Sequence, residues 1–145
     1  MTTPILTIAL ADLARDLHPG LSRLLAGIRT TAPYQRARVL SWLKCCRSGA
    51  SEAASEEVLT ALVRDLVTLR NGQLAFRSIP VRVGQAPRVM PTRDFGGAFM
   101  LGQAVLRVLR VIRSHDPDLA LRLAREVCRT HERQEAEIAR TIGWR

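Results

Sequence analysis

Residues 55–72, SEEVLTALVRDLVTLRNG, decide the fold class because they carry every local signal of an amphipathic helix. Ser55 is a favoured N-cap residue, and the two glutamates after it lie where the helix dipole stabilises negative charge. The apolar residues recur at intervals of three and four, which places them on one helical face: Leu59, Leu62, Val63, Leu66 and Leu69. An Asn-Gly pair then predicts the end of the helix.

Five further segments show similar spacing and end signals, and they are residues 5–17, 21–29, 33–49, 94–114 and 116–142. The Pro19-Gly20 pair is expected to separate the first two. Asp116 followed by Pro117 is the clearest helix start, because Asp caps well and Pro suits the first turn. The sequence therefore predicts a mainly α, single-domain bundle of about five to six helices spanning residues 1–145.

Residues 73–92 interrupt the helical pattern. Three prolines and Gly84 exclude a helix here, while Phe76, Ile79, Val81 and Val83 favour extended chain. The segment predicts a short β-hairpin or an extended arm, inserted between four N-terminal helices and two C-terminal ones.

The overall composition is that of a globular domain with a strong positive charge. Apolar residues make up 47% of the 145 residues, which excludes a disordered chain, and the net charge of +9 favours anionic partners. The absence of a basic leader before the first apolar stretch predicts no signal peptide, and the longest apolar run is too short and charged to span a bilayer. Three cysteines, two of them adjacent, do not make a disulfide framework. We expect a cytoplasmic protein without a membrane partner.

The charge excess is concentrated in residues 66–115, which hold eight arginines and one acidic residue. Arg fits phosphate or carboxylate through two parallel hydrogen bonds and stays charged in any environment. Seven of these arginines are the predicted binding residues for nucleic acid or another anionic partner: Arg77, Arg82, Arg88, Arg93, Arg107, Arg110 and Arg113. The arm and the following helix would together contact several phosphates, unless acidic residues elsewhere in the fold pair with these arginines.

A second arginine stripe, on residues 122–140, favours a different interpretation. Residues 116–145 hold six basic and six acidic side chains and are neutral overall. Arg122 with Glu126 and Arg133 with Glu137 lie four residues apart, a spacing typical of weak ion pairs on a solvated helix face. This stripe is predicted to be ordinary surface.

Few aromatic side chains are available to stack on bases. Only Phe76 lies in the arm, whereas Trp42, Phe95 and Phe99 are expected to be core or helix-packing residues. Single-strand recognition usually needs exposed aromatic residues, so contacts to the backbone are predicted rather than base reading.

A zinc site and catalysis find little support. Cys45 and Cys46 could join Cys128 and His131 as four ligands, but adjacent cysteines suit tetrahedral zinc poorly. No serine or cysteine has a persuasive base partner. We expect no metal, no cofactor, no small-molecule substrate and no enzymatic activity.

Three functional hypotheses follow from these observations. The first is a non-enzymatic protein that binds the nucleic-acid backbone within a nucleic-acid-handling or ribonucleoprotein complex. Its architecture is comparable to the small helical subunits that line the nucleic-acid channel of CRISPR effector complexes, in size, charge and helical class alone. The second is a small phage- or plasmid-type inhibitor or adaptor that binds an acidic protein surface.

The third hypothesis is a transcription regulator with a helix-turn-helix. Residues 135–143 resemble the first half of such a motif, but a recognition helix would have to follow, and an ordinary helix end explains the pattern better. Residues 13–24 match weakly, with Pro19-Gly20 as the turn. DNA, RNA and an acidic protein all remain possible partners at this point.

Overall fold

The structure is a computed structural model that describes residues 4–28, 32–74, 76–79, 84, 88–91 and 95–141. Within these ranges the fold is mainly α, as predicted. The helices are α1 (Pro4–Gly27), α2 (Pro33–Arg47), α3 (Glu56–Gly72), α4 (Phe95–Arg113) and α5 (Pro117–Thr141), with a short 3-10 turn at Ser51–Ala54 and two strands, β1 (Phe76–Ile79) and β2 (Arg88–Pro91).

The first four helices form a closed ring. Each of α1 to α4 contacts the next, α1 also contacts α4, and α5 packs against α3 and α4 from outside. Contacts between Asp16 and Arg107 and between Gly20 and Met100 show that α1 and α4 are antiparallel. Aliphatic side chains fill the ring, among them Leu10, Leu25, Leu43, Leu59, Leu66, Leu101 and Ile112.

Helix α1 runs through Pro19 and Gly20, so the predicted break at this pair is wrong. Proline in a helix interior removes one hydrogen bond and costs about 3 kcal/mol. The buried leucines on both sides of Pro19 outweigh that cost, because each contributes about 1.5–3 kcal/mol; they include Leu6, Leu10, Leu13, Leu21 and Leu25. Without a turn here, the weak helix-turn-helix match over residues 13–24 is also wrong.

The predicted starts of α3 and α5 are confirmed. Ser55 Oγ accepts a hydrogen bond from the Val58 amide at 3.3 Å, and Asp116 Oδ1 accepts one from the Leu119 amide at 3.1 Å. These bonds satisfy amides that have no partner inside the helix. Local sequence signals therefore located the beginnings of α3 and α5.

The segment between α3 and α4 contains the two strands. β1 and β2 pair antiparallel, with Phe76 opposite Pro91 and Ile79 opposite Arg88. Gly84, between them, has a φ of +88°, which glycine adopts readily. The rest of the connection, at residues 80–83 and 85–87, lies outside the described residues, so the choice between a hairpin and an extended arm stays a prediction.

In the part of the chain that the structure describes, no helix has both the length and the apolar character needed to cross a membrane.

Candidate anion-binding interface

The structure describes five of the seven predicted binding arginines, and they fall into two groups along the chain. Arg107, Arg110 and Arg113 lie in the C-terminal half of this helix. Arg77 and Arg88 lie in β1 and β2, whose connection to the bundle enters α4 at its N-terminus. Arg82 and Arg93 are outside the described residues. At 1.5 Å per residue, the 19 residues of α4 are about 28 Å long. The helical group therefore lies at the end of α4 opposite to the one where the chain from the strands enters it.

Arg107 already has an acidic partner within the fold. Its guanidinium forms an ion pair with the Asp16 carboxylate of α1, and the Arg107 side chain is 39% exposed. The antiparallel packing of α1 against α4 brings these residues together, although 91 positions separate them. The alternative weighed from the sequence, pairing with an acidic residue elsewhere in the fold, is correct for Arg107.

Arg110 and Arg113 are exposed in the last turn of α4. Among the described residues, neither side chain forms an ion pair or a hydrogen bond. Cations at this position also stabilise the negative end of the helix dipole, typically by about 0.3–1 kcal/mol each. That role leaves the outer N–H groups of both guanidinium ions available to an anion.

The arginine stripe of α5 is held partly by other helices rather than by its own glutamates. Arg122 bonds to Glu56 of α3 at 2.6 Å, and Glu126 accepts a hydrogen bond from Arg64 of α3 at 2.8 Å. The hydrogen bond to Glu56 raises the pKa of Arg122 above its usual value. The predicted Arg122–Glu126 pair is therefore wrong.

The positive charges of three further arginines in this stripe are not balanced by an acidic partner among the described residues. Arg125, Arg129 and Arg133 are exposed, and within the described ranges they have no ion-pair partner. The partner proposed for Arg133, the Glu137 side chain, lies outside the described residues. The stripe thus keeps part of its positive charge, and any experiment on α4 must be compared with it.

The four candidate zinc ligands do not come together. No group of three or more His, Cys, Asp or Glu residues among the described ones could hold a metal ion. Cys45 and Cys128 are exposed on different helices, and Cys46 is buried. Burial, reinforced by Cys45, raises the pKa of Cys46 to about 12. Its thiol therefore stays protonated, whereas a nucleophile or metal ligand needs the thiolate.

A pocket that the sequence did not indicate opens between α3, α4 and α5. It has a volume of about 580 Å³, and most of its lining side chains are apolar, including Phe99, Leu106 and Val127. Phe99 is 67% exposed, so of the two predicted roles, core or helix-packing residue, the first is wrong. Helical spacing does not reveal which flank of α4 a neighbouring helix leaves uncovered.

Two basic residues contribute to this pocket, Arg70 from the end of α3 and His131 from α5. Burial lowers the pKa of Arg70, and the nearby Glu135 opposes that shift. Burial and the charge of Arg70 lower the pKa of His131, again opposed by Glu135. His131 is therefore neutral near pH 7, beside a positively charged arginine.

Comparisons with known proteins add no relative. No protein-family model, no curated protein and no solved structure matches this chain.

Proposed function

We propose that this protein binds the backbone of nucleic acid, without enzymatic activity, as a small subunit of a nucleic-acid-handling complex. The observation that carries the proposal is the exposed, unpaired state of Arg110 and Arg113 at the end of α4 among the described residues. The net charge of +9 supports it, since electrostatic contact with phosphates requires no base-specific residues. The arginines of the arm, including Arg82 and Arg88, would add further phosphate contacts.

Salt-dependent binding tests this proposal. Fluorescence anisotropy would compare labelled duplex DNA, single-stranded DNA and RNA of equal length across a range of salt concentrations. Replacing Arg110 and Arg113 by Gln is expected to weaken binding and to reduce the slope of log affinity against log salt by about 1 for each lost phosphate contact. Replacing Arg82 and Arg88 by Glu should cause a larger loss, because each change also adds a negative charge.

The matched control removes the same charge from the stripe of α5. Gln at Arg125 and Arg129 is expected to change affinity less than Gln at Arg110 and Arg113. An equal loss of affinity in the two double variants would show a general effect of net charge. A greater loss in the α5 variant would show that the interface lies on α5. Either result, or failure of the unmodified protein to bind any of the three nucleic acids at low salt, contradicts the proposal.

As a second candidate function, the protein would bind the acidic surface of another protein and act as its adaptor or inhibitor. The observation that favours it is a pair of exposed apolar residues, Ile5 and Ile8, which are 66% and 63% exposed on α1. Because α1 and α4 are antiparallel, this pair lies at the same end of the bundle as Arg110 and Arg113. An apolar centre with charged neighbours is typical of protein interfaces. Ser at both isoleucines would weaken capture of one stoichiometric protein partner but leave nucleic-acid binding unchanged.

A further inference from the structure

The pocket between α3, α4 and α5 has the size and lining of a small-molecule site. Its volume of about 580 Å³ falls within the range of roughly 300–1,000 Å³ that ligand pockets occupy. Phe99 and Leu106 at this pocket are 67% and 46% exposed, so apolar surface faces solvent here. A ligand with an apolar body would remove that surface from water.

The cationic group of the pocket is only partly satisfied by the protein. Arg70 donates one hydrogen bond to Asn71 Oδ1 at 2.9 Å, and a guanidinium has five N–H donors. Among the described residues, Arg70 forms no ion pair within 4 Å, although Glu135 lies close enough to influence its charge. The Arg70 side chain passes Gly102 of α4, where a Cβ would lie 3.8 Å from Arg70 Nε. A small residue at 102 thus leaves room for the guanidinium beside α4.

The second polar group of the pocket lacks a partner. His131 Nε2 is buried and has no hydrogen-bond partner within the described part of the chain. A buried polar atom without a partner typically costs about 1–3 kcal/mol, which a ligand atom could recover. As the N–H tautomer, Nε2 would donate a hydrogen bond to an anion that is also held by Arg70.

We propose that this pocket binds a small amphipathic carboxylate, such as a medium-chain fatty acid. The carboxylate would accept hydrogen bonds from the Arg70 guanidinium and from His131 Nε2, a charge-assisted arrangement for which Arg is well suited. The alkyl chain would lie along Phe99, Leu106 and Val127. Arg110 and Arg113, which carry the proposed nucleic-acid interface, do not line this pocket.

Three ligands that share one alkyl chain test the proposal on the unmodified protein. Calorimetry would compare octanoate and octylammonium below their micellar concentrations with octanol below its solubility limit. Octanoate is expected to bind about tenfold more tightly than octanol, the factor that one charge-assisted hydrogen bond supplies, and octylammonium should not bind. Octanoate should also shift the NMR signals of the Phe99 and His131 rings. Equal affinity for octanol and octanoate would overturn the carboxylate assignment, and so would the absence of octanoate binding.

A variant pair locates the site. Arg70→Gln is expected to weaken octanoate binding about tenfold, whereas Arg64→Gln removes the same charge from α3 outside the pocket and should leave affinity unchanged. Circular dichroism would verify that both variants keep their helices, and Arg70→Lys should restore part of the affinity. A second cavity lies between α2 and α3, beside Arg38 and Asp65. NMR shifts confined to that cavity, or equal losses in the two Gln variants, would overturn the assignment to the pocket around Arg70. These outcomes are independent of nucleic-acid binding, which is measured separately.

Discussion

At the scale of single residues, the Asp65 carboxylate shows how the fold uses an arginine internally. Asp65 is 4% exposed, and Arg38 of α2 bonds to both of its oxygens, at 2.7 and 3.0 Å. The Arg38 side chain is 60% exposed, so only one partner of this pair has lost most of its water. Consequently, removing the Arg38 cation and removing the Asp65 charge should affect the stability of the fold differently.

We predict that Arg38→Ala destabilises the protein more than Asp65→Asn. The first change leaves a buried carboxylate without its cation and should cost about 1.5–3 kcal/mol, as for a lost hydrogen bond to a charged group. The second leaves Arg38 free to turn into solvent. Urea unfolding, with the m-value unchanged, measures the free energy of unfolding of each variant. If Asp65→Asn were the more damaging change, the carboxylate would have a structural role beyond this ion pair.

Single residues also show the limit of local reasoning about charge. Arg107 and Arg110 are three positions apart on α4, and nothing in their immediate sequence distinguishes them. One pairs with Asp16, while the other has no partner among the described residues. Only the packing of α1 against α4 determines which arginine keeps its charge available.

At the scale of helices, α1 tolerates a proline that normally ends a helix. Pro19 and Gly20 are exposed, whereas Leu21 and Leu25 on the following turn are buried. The helix continues because its apolar stripe packs against α2 and α4 on both sides of the proline. Propensity is a local preference of a few kcal/mol, and tertiary packing exceeds it here.

We predict that Pro19→Ala stabilises the protein by about 2 kcal/mol. The change removes the cost of about 3 kcal/mol that proline has in a helix interior, from its missing N–H and its ring clash, and the more flexible unfolded chain offsets about 1 kcal/mol of that gain. Gly20→Ala is the matched control. Its Cβ would meet Met100 Cε at an ordinary 3.8 Å, so a smaller gain of about 0.5–1 kcal/mol is expected. Thermal and urea unfolding measure both. A loss of stability in Pro19→Ala would show that the packing of α1 depends on the proline.

At the scale of the whole molecule, α5 attaches to the four-helix ring by both polar and apolar contacts. Arg122 bonds to Glu56 near one end, and Gln134 Nε2 donates to the Asn71 carbonyl oxygen at 2.7 Å near the other. Leu119 and Leu123 are each 3% exposed at the same interface. Exposed ion pairs contribute little to stability, so burial of the leucines should dominate.

We predict that Leu123→Ala costs about 2–5 kcal/mol, because it removes a buried side chain and leaves a cavity. Arg122→Gln should cost much less, since both partners of its ion pair are exposed. Leu121→Ala is the control for the leucine, because Leu121 is 50% exposed on the same helix and should change stability little. Urea midpoints rank the three variants. A larger effect of Arg122→Gln than of Leu123→Ala would mean that the ion pairs hold α5 in place.

The sequence by itself determined the mainly α class, the helix starts at Ser55 and Asp116, and the positive charge. These properties depend on apolar periodicity, capping and composition, which are local or additive. Only the tertiary structure decided the continuity of α1 through Pro19, the neutralisation of Arg107 and the pocket around Arg70. Each of these depends on contacts between helices that are distant in sequence. In α1, burial of the leucines around Pro19 outweighs local preference because it involves a larger free energy than helix propensity.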